Sequence, residues 1–308
     1  MRTRLGLSAL SELPRGAAVS IGNYDGVHQG HQAIDRTLRG PGAPVTVETP
    51  PRLTPARIKN ELLAGAGVDE LVVLPPTPDV LNLTAEDFWA TLRDAVRPAL
   101  IVEGRSFNFG KGRGGTVPRL QQWSRDAGIE MVVLDDITAE LCDQTVVSIG
   151  STLIRWLVAH GRMQDVSRCL GRAYAVEGTV ITGFQRGRTI GVPTANLRVE
   201  DQLIPGDGVY AGRARVGERW FDAAISIGNL PTFENGAHQL EAHLLDFDGD
   251  LYGQPLRLEL VAWVRDQVRF ASLDALKDQI ARDIDRIRQC MNNMTSSSRH
   301  WRAPAGCC

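Results

Sequence analysis

No run of about 18 consecutive apolar residues occurs in this sequence, so no helical membrane span is expected. Neither sign of charge is in excess: 34 Lys and Arg oppose 36 Asp and Glu, for a net charge of -2. That excludes the global basic field with which a chain gathers nucleic acid. The five cysteines, Cys142, Cys169, Cys290, Cys307 and Cys308, are odd in number and scattered. They form neither a disulfide framework nor a metal-ligand spacing and read as reduced thiols. The opening Met1-Arg2-Thr3-Arg4-Leu5 lacks the apolar core and small-residue cleavage site of a secretion signal, so a cytoplasmic protein is expected. No internal repeat is visible. What is present is ordinary for globular protein: 308 residues, 43% hydrophobic and 23% charged, long enough for two domains.

The first half alternates strand-like and helix-like segments. Val19 to Ile21, Val45 to Val47, Leu71 to Leu74, Ala99 to Val102 and Met131 to Leu134 read as short buried strands. Ala56 to Ala64, Ala85 to Val96 and Arg119 to Ala127 read as helices between them, the second with Thr84 as N-cap and an acidic first turn. This alternation predicts an α/β domain with a parallel sheet, whose ligands sit at the carboxyl ends of the strands. Ser151 to Leu170 reads as one or two helices broken near Gly161. From Tyr174 onward, short alternating runs separated by Gly and Asp turns predict an antiparallel β-barrel. A final helix, Leu273 to Gln289, turns Ile280, Ile284 and Ile287 toward that barrel, and a polar, disordered tail is expected from Asn292.

Right after the first strand comes Gly22-Asn23-Tyr24-Asp25-Gly26-Val27-His28-Gln29-Gly30-His31. A strand, a glycine-rich turn and a helix seat a phosphate on the helix N-terminus. His28 and His31 add donors that stabilise charge as pyrophosphate departs, and Gly26 and Gly30 permit close backbone approach. The plain alternative is a glycine turn with incidental histidines. Ser151 and Thr152 open a later helix, with Arg155 one turn along. They read either as phosphate ligands or as a simple cap with a surface arginine. Phe107 and Phe109 follow another strand end, in a loop rich in glycine and basic residues. They serve equally well as a stacking surface for an aromatic ligand or as core anchors.

In the second half, Gly183 to Asn196 is dense in glycine without being a Walker loop, since no Gly-Lys-Ser/Thr follows. Its glycines can cradle phosphates, and Thr194 and Asn196 offer the oxygen ligands that Mg²⁺ prefers. A β-turn leading into an Asn-capped loop is the alternative. Strand alternation puts Glu241 and His243 on one face, where Glu241 is a candidate base for an alcohol attacking ATP and His243 reads as structural.

These residues together resemble the bacterial bifunctional riboflavin kinase/FAD synthetase family, from about Ser20 to about Ile287. Gly187-Arg188, Gly191, Pro193-Thr194-Ala195-Asn196-Leu197, Gly208-Val209-Tyr210, Ser226 to Phe233 and Glu241 to Gly253 look like the family's kinase landmarks. Arg265-Asp266-Gln267-Val268-Arg269-Phe270 resembles the basic segment near the flavin, with Gln267 where a glutamate is usual. In the other half, Tyr24 replaces the usual phenylalanine, and Val45 to Pro51 lacks the Phe and His of the usual Thr-Phe-Asp/Glu-Pro-His-Pro. Ser106 stands for the usual Asp or Asn, and Gly150 for the first serine of Ser-Ser-Thr-x-Ile-Arg.

The resemblance implies a Rossmann-like nucleotidylyltransferase domain over 1–149, a helical connection over 150–172, a riboflavin kinase barrel with its C-terminal helix over 173–290, and a tail over 291–308. It implies Glu241, His28, His31 and Arg155 as catalytic residues. ATP would be met by Gly22, Asn23, Asp25, Gly26, Gly30, Ser151, Thr152, Gly187, Arg188, Gly191 and Pro193. Phe107, Phe109 and Arg265 would meet flavin, and Thr194 and Asn196 would hold Mg²⁺. The implied partners are riboflavin, FMN and ATP, with no nucleic acid and no membrane. The implied activity is phosphorylation of riboflavin to FMN and adenylylation of FMN to FAD with release of pyrophosphate. The alternatives are a monofunctional kinase with a degenerate first domain and a non-catalytic flavin sensor.

Overall fold

A computed structural model describes residues 1–38, 42–47, 50–183, 191–228 and 239–295. They fall into two compact units, one of Met1–Thr138 with Ser148–Ser151, the other of Ala139–Val147 with the residues from Thr152 onward.

The first unit runs β1 (Arg2–Leu5), β2 (Ala18–Ile21), α1 (Gln29–Thr37), β3 (Gly42–Val47), α2 (Ala56–Gly65), β4 (Glu70–Leu74), α3 (Pro78–Leu81), α4 (Ala85–Val96), β5 (Leu100–Gly104), β6 (Asn108–Phe109), β7 (Gly115–Thr116), α5 (Val117–Asp126) and β8 (Glu130–Leu134). Six strands form one sheet in the order β1-β4-β3-β2-β5-β8, every neighbour parallel. Alternate residues of each strand face opposite cores. Val19, Val45, Val72 and Ile101 pack with Phe88, Trp89 and Leu92 of α4. Ala18, Leu71, Leu100 and Val102 pack with Ile34 of α1 and Leu63 of α2. Both faces are covered, which is why the strands read as continuous apolar runs. Burial of each such Val, Leu or Ile is worth about 1.5–3 kcal/mol.

The chain winds from β2 to β3 on one side and later returns to β5 on the other. The strand order therefore reverses beside β2, and this switch point opens a crevice at the carboxyl end of β2. The helix expected over Ala85 to Val96 forms with those bounds, and the Thr84 side chain accepts the Asp87 N–H at 3.1 Å. The edge strand β1 was not expected, because Arg2-Thr3-Arg4 carries no apolar alternation. It is held to β4 by charge as well as by the ladder: Nε of Arg4 meets Oε2 of Glu70 at 2.9 Å.

Next in the chain come the short ribbon β9 (Thr138–Glu140) and β10 (Val146–Ser148), then α6 (Ser151–Ala159) and α7 (Met163–Leu170). Gly161 separates the two helices at φ 68, where any Cβ would sit 2.6 Å from the Tyr210 hydroxyl. Six strands follow: β11 (Tyr174–Ile181), β12 (Ala195–Arg198), β13 (Gly208–Val216), β14 (Arg219–Gly228), β15 (Gln239–Leu244) and β16 (Pro255–Arg265). They close an antiparallel barrel in the order β11-β12-β15-β14-β13-β16.

The last helix, α8, spans Leu273–Thr295. Ile287 is fully buried against Val209, Val261 and Ala262, and Ile284 packs beside it. The expected end at Gln289 and the expected disorder from 291 are corrected in part. Cys290 and Met291 continue the buried stripe at helical spacing, so packing carries the helix to Thr295.

Candidate functional site

At the switch point, β2 ends at Ile21 and the backbone turns through Tyr24 (φ 48), Gly26 (φ 87) and Val27 (φ 40) into α1. The turn is pinned from several sides. The Asp25 carboxylate accepts the Leu53 N–H at 2.8 Å, and the Ser151 hydroxyl donates to the Asp25 carbonyl at 2.8 Å. Lys59, only 3% exposed, donates to the Asn23 carbonyl at 2.8 Å and to the Thr46 hydroxyl at 2.9 Å.

His28 is the N-cap of α1, and its Nδ1 accepts the backbone N–H of His31 at 3.4 Å. An Nδ1 that accepts carries no proton, so neutral His28 keeps its proton on Nε2, a donor suited to an anion. The ring folds back over Gly30, where a Cβ would lie 3.1 Å from the imidazole. The glycine between the histidines is therefore a steric requirement of the cap. The His28 and His31 rings stack at 3.7 Å, and Tyr24 stacks on the other face of His31 at 4.8 Å. The N-terminus of α1 adds the partial positive charge of the helix, which favours an anion.

Beside it a cavity of about 190 Å³ is bordered by Gly22, Asn23, Val45, Val47, Phe107 and Phe109. Phe107 and Phe109 stack at 5.4 Å, and Phe109 also meets Phe88 edge-on at 5.9 Å. Phe109 is thus a core anchor whose ring also borders the cavity, and half-buried Phe107 borders it too. Within the segment Val45 to Pro51, residues 48 and 49 lie outside the described residues. Thr152 and Arg155 fall in the second unit.

Two carboxyls are buried beneath this turn. Glu103 of β5 accepts the Ile21 N–H at 2.7 Å, and burial pushes its proton affinity well above the usual carboxylate range. Asp35 of α1 is raised to about 7, chiefly by burial, against the opposing influence of Tyr24 and Arg36. Neither these carboxyls nor Lys59 was singled out from sequence. The available signal for Asp35 was its place four residues after His31, on the same helical face.

In the barrel, β12 pairs with β15 so that Asn196 lies opposite Glu241. The Thr194 hydroxyl donates to Oε2 of Glu241 at 3.2 Å. Asn196 lies so close to Gly183 that a Cβ there would fall 2.3 Å from its amide. His243, on the same face as Glu241, holds Pro193 through Nδ1 and the Pro193 carbonyl at 2.8 Å. It steadies the segment that carries Thr194, in keeping with its structural reading. Gln267 donates to the Ser226 hydroxyl at 2.8 Å and to the Ile227 carbonyl at 3.0 Å. The usual glutamate could make neither donation when ionised.

A cavity of about 200 Å³ beside Thr194 is bordered by Val180, Pro193, Leu244, Phe247 and Tyr252. Gly191 takes the left-handed conformation at φ 82, whereas Gly187 and Arg188 lie outside the described residues. Arg265 is engaged elsewhere. Its Nε meets Asp283 of α8 at 2.9 Å, and it donates to the Asp266 carbonyl at 2.8 Å. Its guanidinium thereby joins α8 to the end of β16.

The comparisons agree with this division. A family model described as FAD synthetase matches residues 41–149, and one described as riboflavin kinase matches residues 170–291. The bifunctional riboflavin kinase/FMN adenylyltransferase of Escherichia coli (strain K12) is 36% identical over 304 residues, covering 92% of this chain and 96% of that protein. The protein of the same description from Haemophilus influenzae is 34% identical over 309 residues, covering 94% and 98%. Among solved structures, one described as a macrolide-efflux protein from Streptococcus pneumoniae aligns with a TM-score of 0.84 at 27% identity, covering 94% and 99%. Among the described residues of this chain, no helix is long and apolar enough to cross a membrane.

Proposed function

The chain belongs to the bifunctional riboflavin kinase/FMN adenylyltransferase family, and from that premise we propose how its own residues carry the two reactions. It phosphorylates riboflavin to FMN with ATP and joins AMP from a second ATP to FMN, giving FAD.

For the kinase, the observation that carries the reading is the Thr194–Glu241 contact beside Asn196. The 5′-hydroxyl of riboflavin attacks the γ-phosphorus of ATP. Its proton passes to Glu241, the new O–P bond forms, and the electron pair of the broken bond leaves with ADP. The Thr194 hydroxyl donates to Glu241 and keeps its lone pairs, and the Asn196 amide oxygen is a second hard donor. This neutral oxygen pair fits Mg²⁺ arriving with nucleotide phosphates, and no cluster of three or more His, Cys, Asp or Glu suited to a metal occurs among the described residues. Bound there, Mg²⁺ would supply charge neutralisation at the phosphate oxygens. The cavity beside Thr194 supports nucleotide binding at that end of the barrel.

For the adenylyltransferase, an FMN phosphate oxygen attacks the α-phosphorus of ATP directly. The electron pair of the broken bond leaves with pyrophosphate, and no covalent enzyme intermediate forms. His28 donates through Nε2, His31 adds charge stabilisation, and the N-terminus of α1 receives phosphate. Gly22, Asn23, Asp25, Gly26, Gly30 and Ser151 shape the ATP side. Phe107 offers a stacking face toward the flavin. An ATP-consuming enzyme whose described cysteines are free thiols fits the cytoplasm.

The test is a single incubation with riboflavin, ATP and Mg²⁺, followed by chromatographic separation of riboflavin, FMN and FAD. FMN and FAD should both form. FMN alone would reduce the first unit to a support, and no product would leave a flavin sensor.

A further inference from the structure

The first unit buries a polar group that the adenylyl-transfer mechanism above leaves unused. Asp35 is 4% exposed on α1, four residues after His31 and hence on the same helical face. Its carboxyl lies beside the Tyr24 hydroxyl, which also lies beside Ser20. Tyr24 is 1% exposed, and its ring stacks on His31 at 4.8 Å. No hydrogen bond of good geometry closes among the Ser20 hydroxyl, the Tyr24 hydroxyl and the Asp35 carboxyl. A buried carboxyl held this loosely costs stability, and such a cost calls for a role.

Among the described residues, the charged and titratable groups around Asp35 are these. Arg36 follows it on its own helix, Tyr24 faces it from the turn, and Glu103 acts on Tyr24 from β5, against which α1 packs. His28 and His31 complete the set at the mouth of the site. The remaining neighbours of α1 in this core, among them Leu63, Leu100 and Val102, are apolar.

We propose that Asp35 is a positioning residue for His31, acting through Tyr24: its carboxylate holds the imidazole in the orientation and cationic form that meets the departing pyrophosphate. An opposite charge in a poorly solvated pocket favours imidazolium, and the tyrosine ring between them fixes the geometry. Asp35 touches no substrate. The inference rests on the adenylyl-transfer reading of this turn.

The experiment compares wild type, Asp35→Asn and the all-apolar pair Tyr24→Phe/Asp35→Leu. FAD formation from FMN and ATP is followed between pH 5.5 and 8.5, with riboflavin phosphorylation by the same samples as the control for enzyme amount and circular-dichroism melts as the control for folding. Substrate phosphates also titrate near pH 6, but equally for every variant, so the difference between profiles isolates Asp35. Wild-type kcat should rise through the region near 7 in which Asp35 ionises. Both variants should lose that limb and run about tenfold slower at pH 8, with KM for ATP little changed. Folded variants with the wild-type kcat and limb would overturn the proposal.

A second readout needs no turnover. The imidazole titration of His31, followed by NMR, should have a lower midpoint in Asp35→Asn, and an unchanged midpoint would also overturn the proposal. If wild type makes no FAD while that midpoint still shifts, the adenylyl-transfer reading fails and the Asp35–His31 coupling stands.

Discussion

The hydroxyl of Thr194 donates to Oε2 of Glu241 across 3.2 Å, joining two residues 47 positions apart in the chain. In the proposed kinase reaction, one contact thus links a residue that would hold Mg²⁺ to the group that would take the substrate proton. Thr194 orients the carboxylate, so base and phosphates are positioned together.

Glu241→Ala should lower kcat for FMN formation by about 10²–10⁴-fold, the range for a lost general base. FAD formation from supplied FMN should persist, because Glu241 has no part in the proposed adenylyl transfer. Separate assays with riboflavin and with FMN check this, and near-wild-type FMN turnover would remove Glu241 from its role.

Gly30→Ala probes the helix cap. The added methyl would lie 3.1 Å from the His28 ring, so the imidazole must tilt away from its contact with the His31 N–H. A displacement of this kind should slow FAD formation by about 10–100-fold. Riboflavin phosphorylation should be unchanged, and steady-state kinetics of the two reactions measure the contrast.

Lys59→Met removes the tether on the phosphate turn. The substitution loses two hydrogen bonds but also ends the burial of an ammonium group, so the melting temperature should change little. Adenylyl transfer should nevertheless fall about tenfold, as the Asn23 turn loses its support. Calorimetry paired with FAD kinetics separates these effects; a large loss of stability with normal kinetics would make Lys59 purely structural.

Asp35 also predicts a pH dependence of stability. Its folded pKa, about 7, lies above the unfolded value of about 3.9. Between those values the folded state holds the proton more tightly. Its contribution to stability is therefore full below about pH 4 and is lost as pH rises to about 7. Asp35→Asn keeps the neutral form at every pH. Relative to wild type it should gain stability on going from pH 5 to pH 8, by a few kcal/mol at most. Thermal melts at the two pH values decide it, and a constant difference would contradict the raised pKa.

Much of this was legible in the sequence because the signals are local. The Gly22 to His31 turn joins strand, glycine and helix cap within ten positions, and the apolar runs after it fixed the α/β alternation. Thr84 announced its helix because an N-cap bonds only three residues onward. The edge strand β1 was hidden because its stability comes from Glu70, far along the chain, rather than from an apolar face of its own. The Arg265–Asp283 pair was likewise hidden, because it joins residues 18 positions apart on β16 and α8.

The sequence by itself determined the residue types for phosphate and proton chemistry, the two-part architecture and the family resemblance, since each depends on neighbours in the chain or on short patterns. Tertiary structure alone decided which of these residues act together. Asn196 faces Glu241 only because β12 and β15 are adjacent in the closed barrel. Lys59 reaches Asn23 only because α2 packs beneath the turn, and Asp35 acquires its high proton affinity only when the core excludes water from it. Register and burial are properties of contacts between distant segments, and no local pattern encodes them.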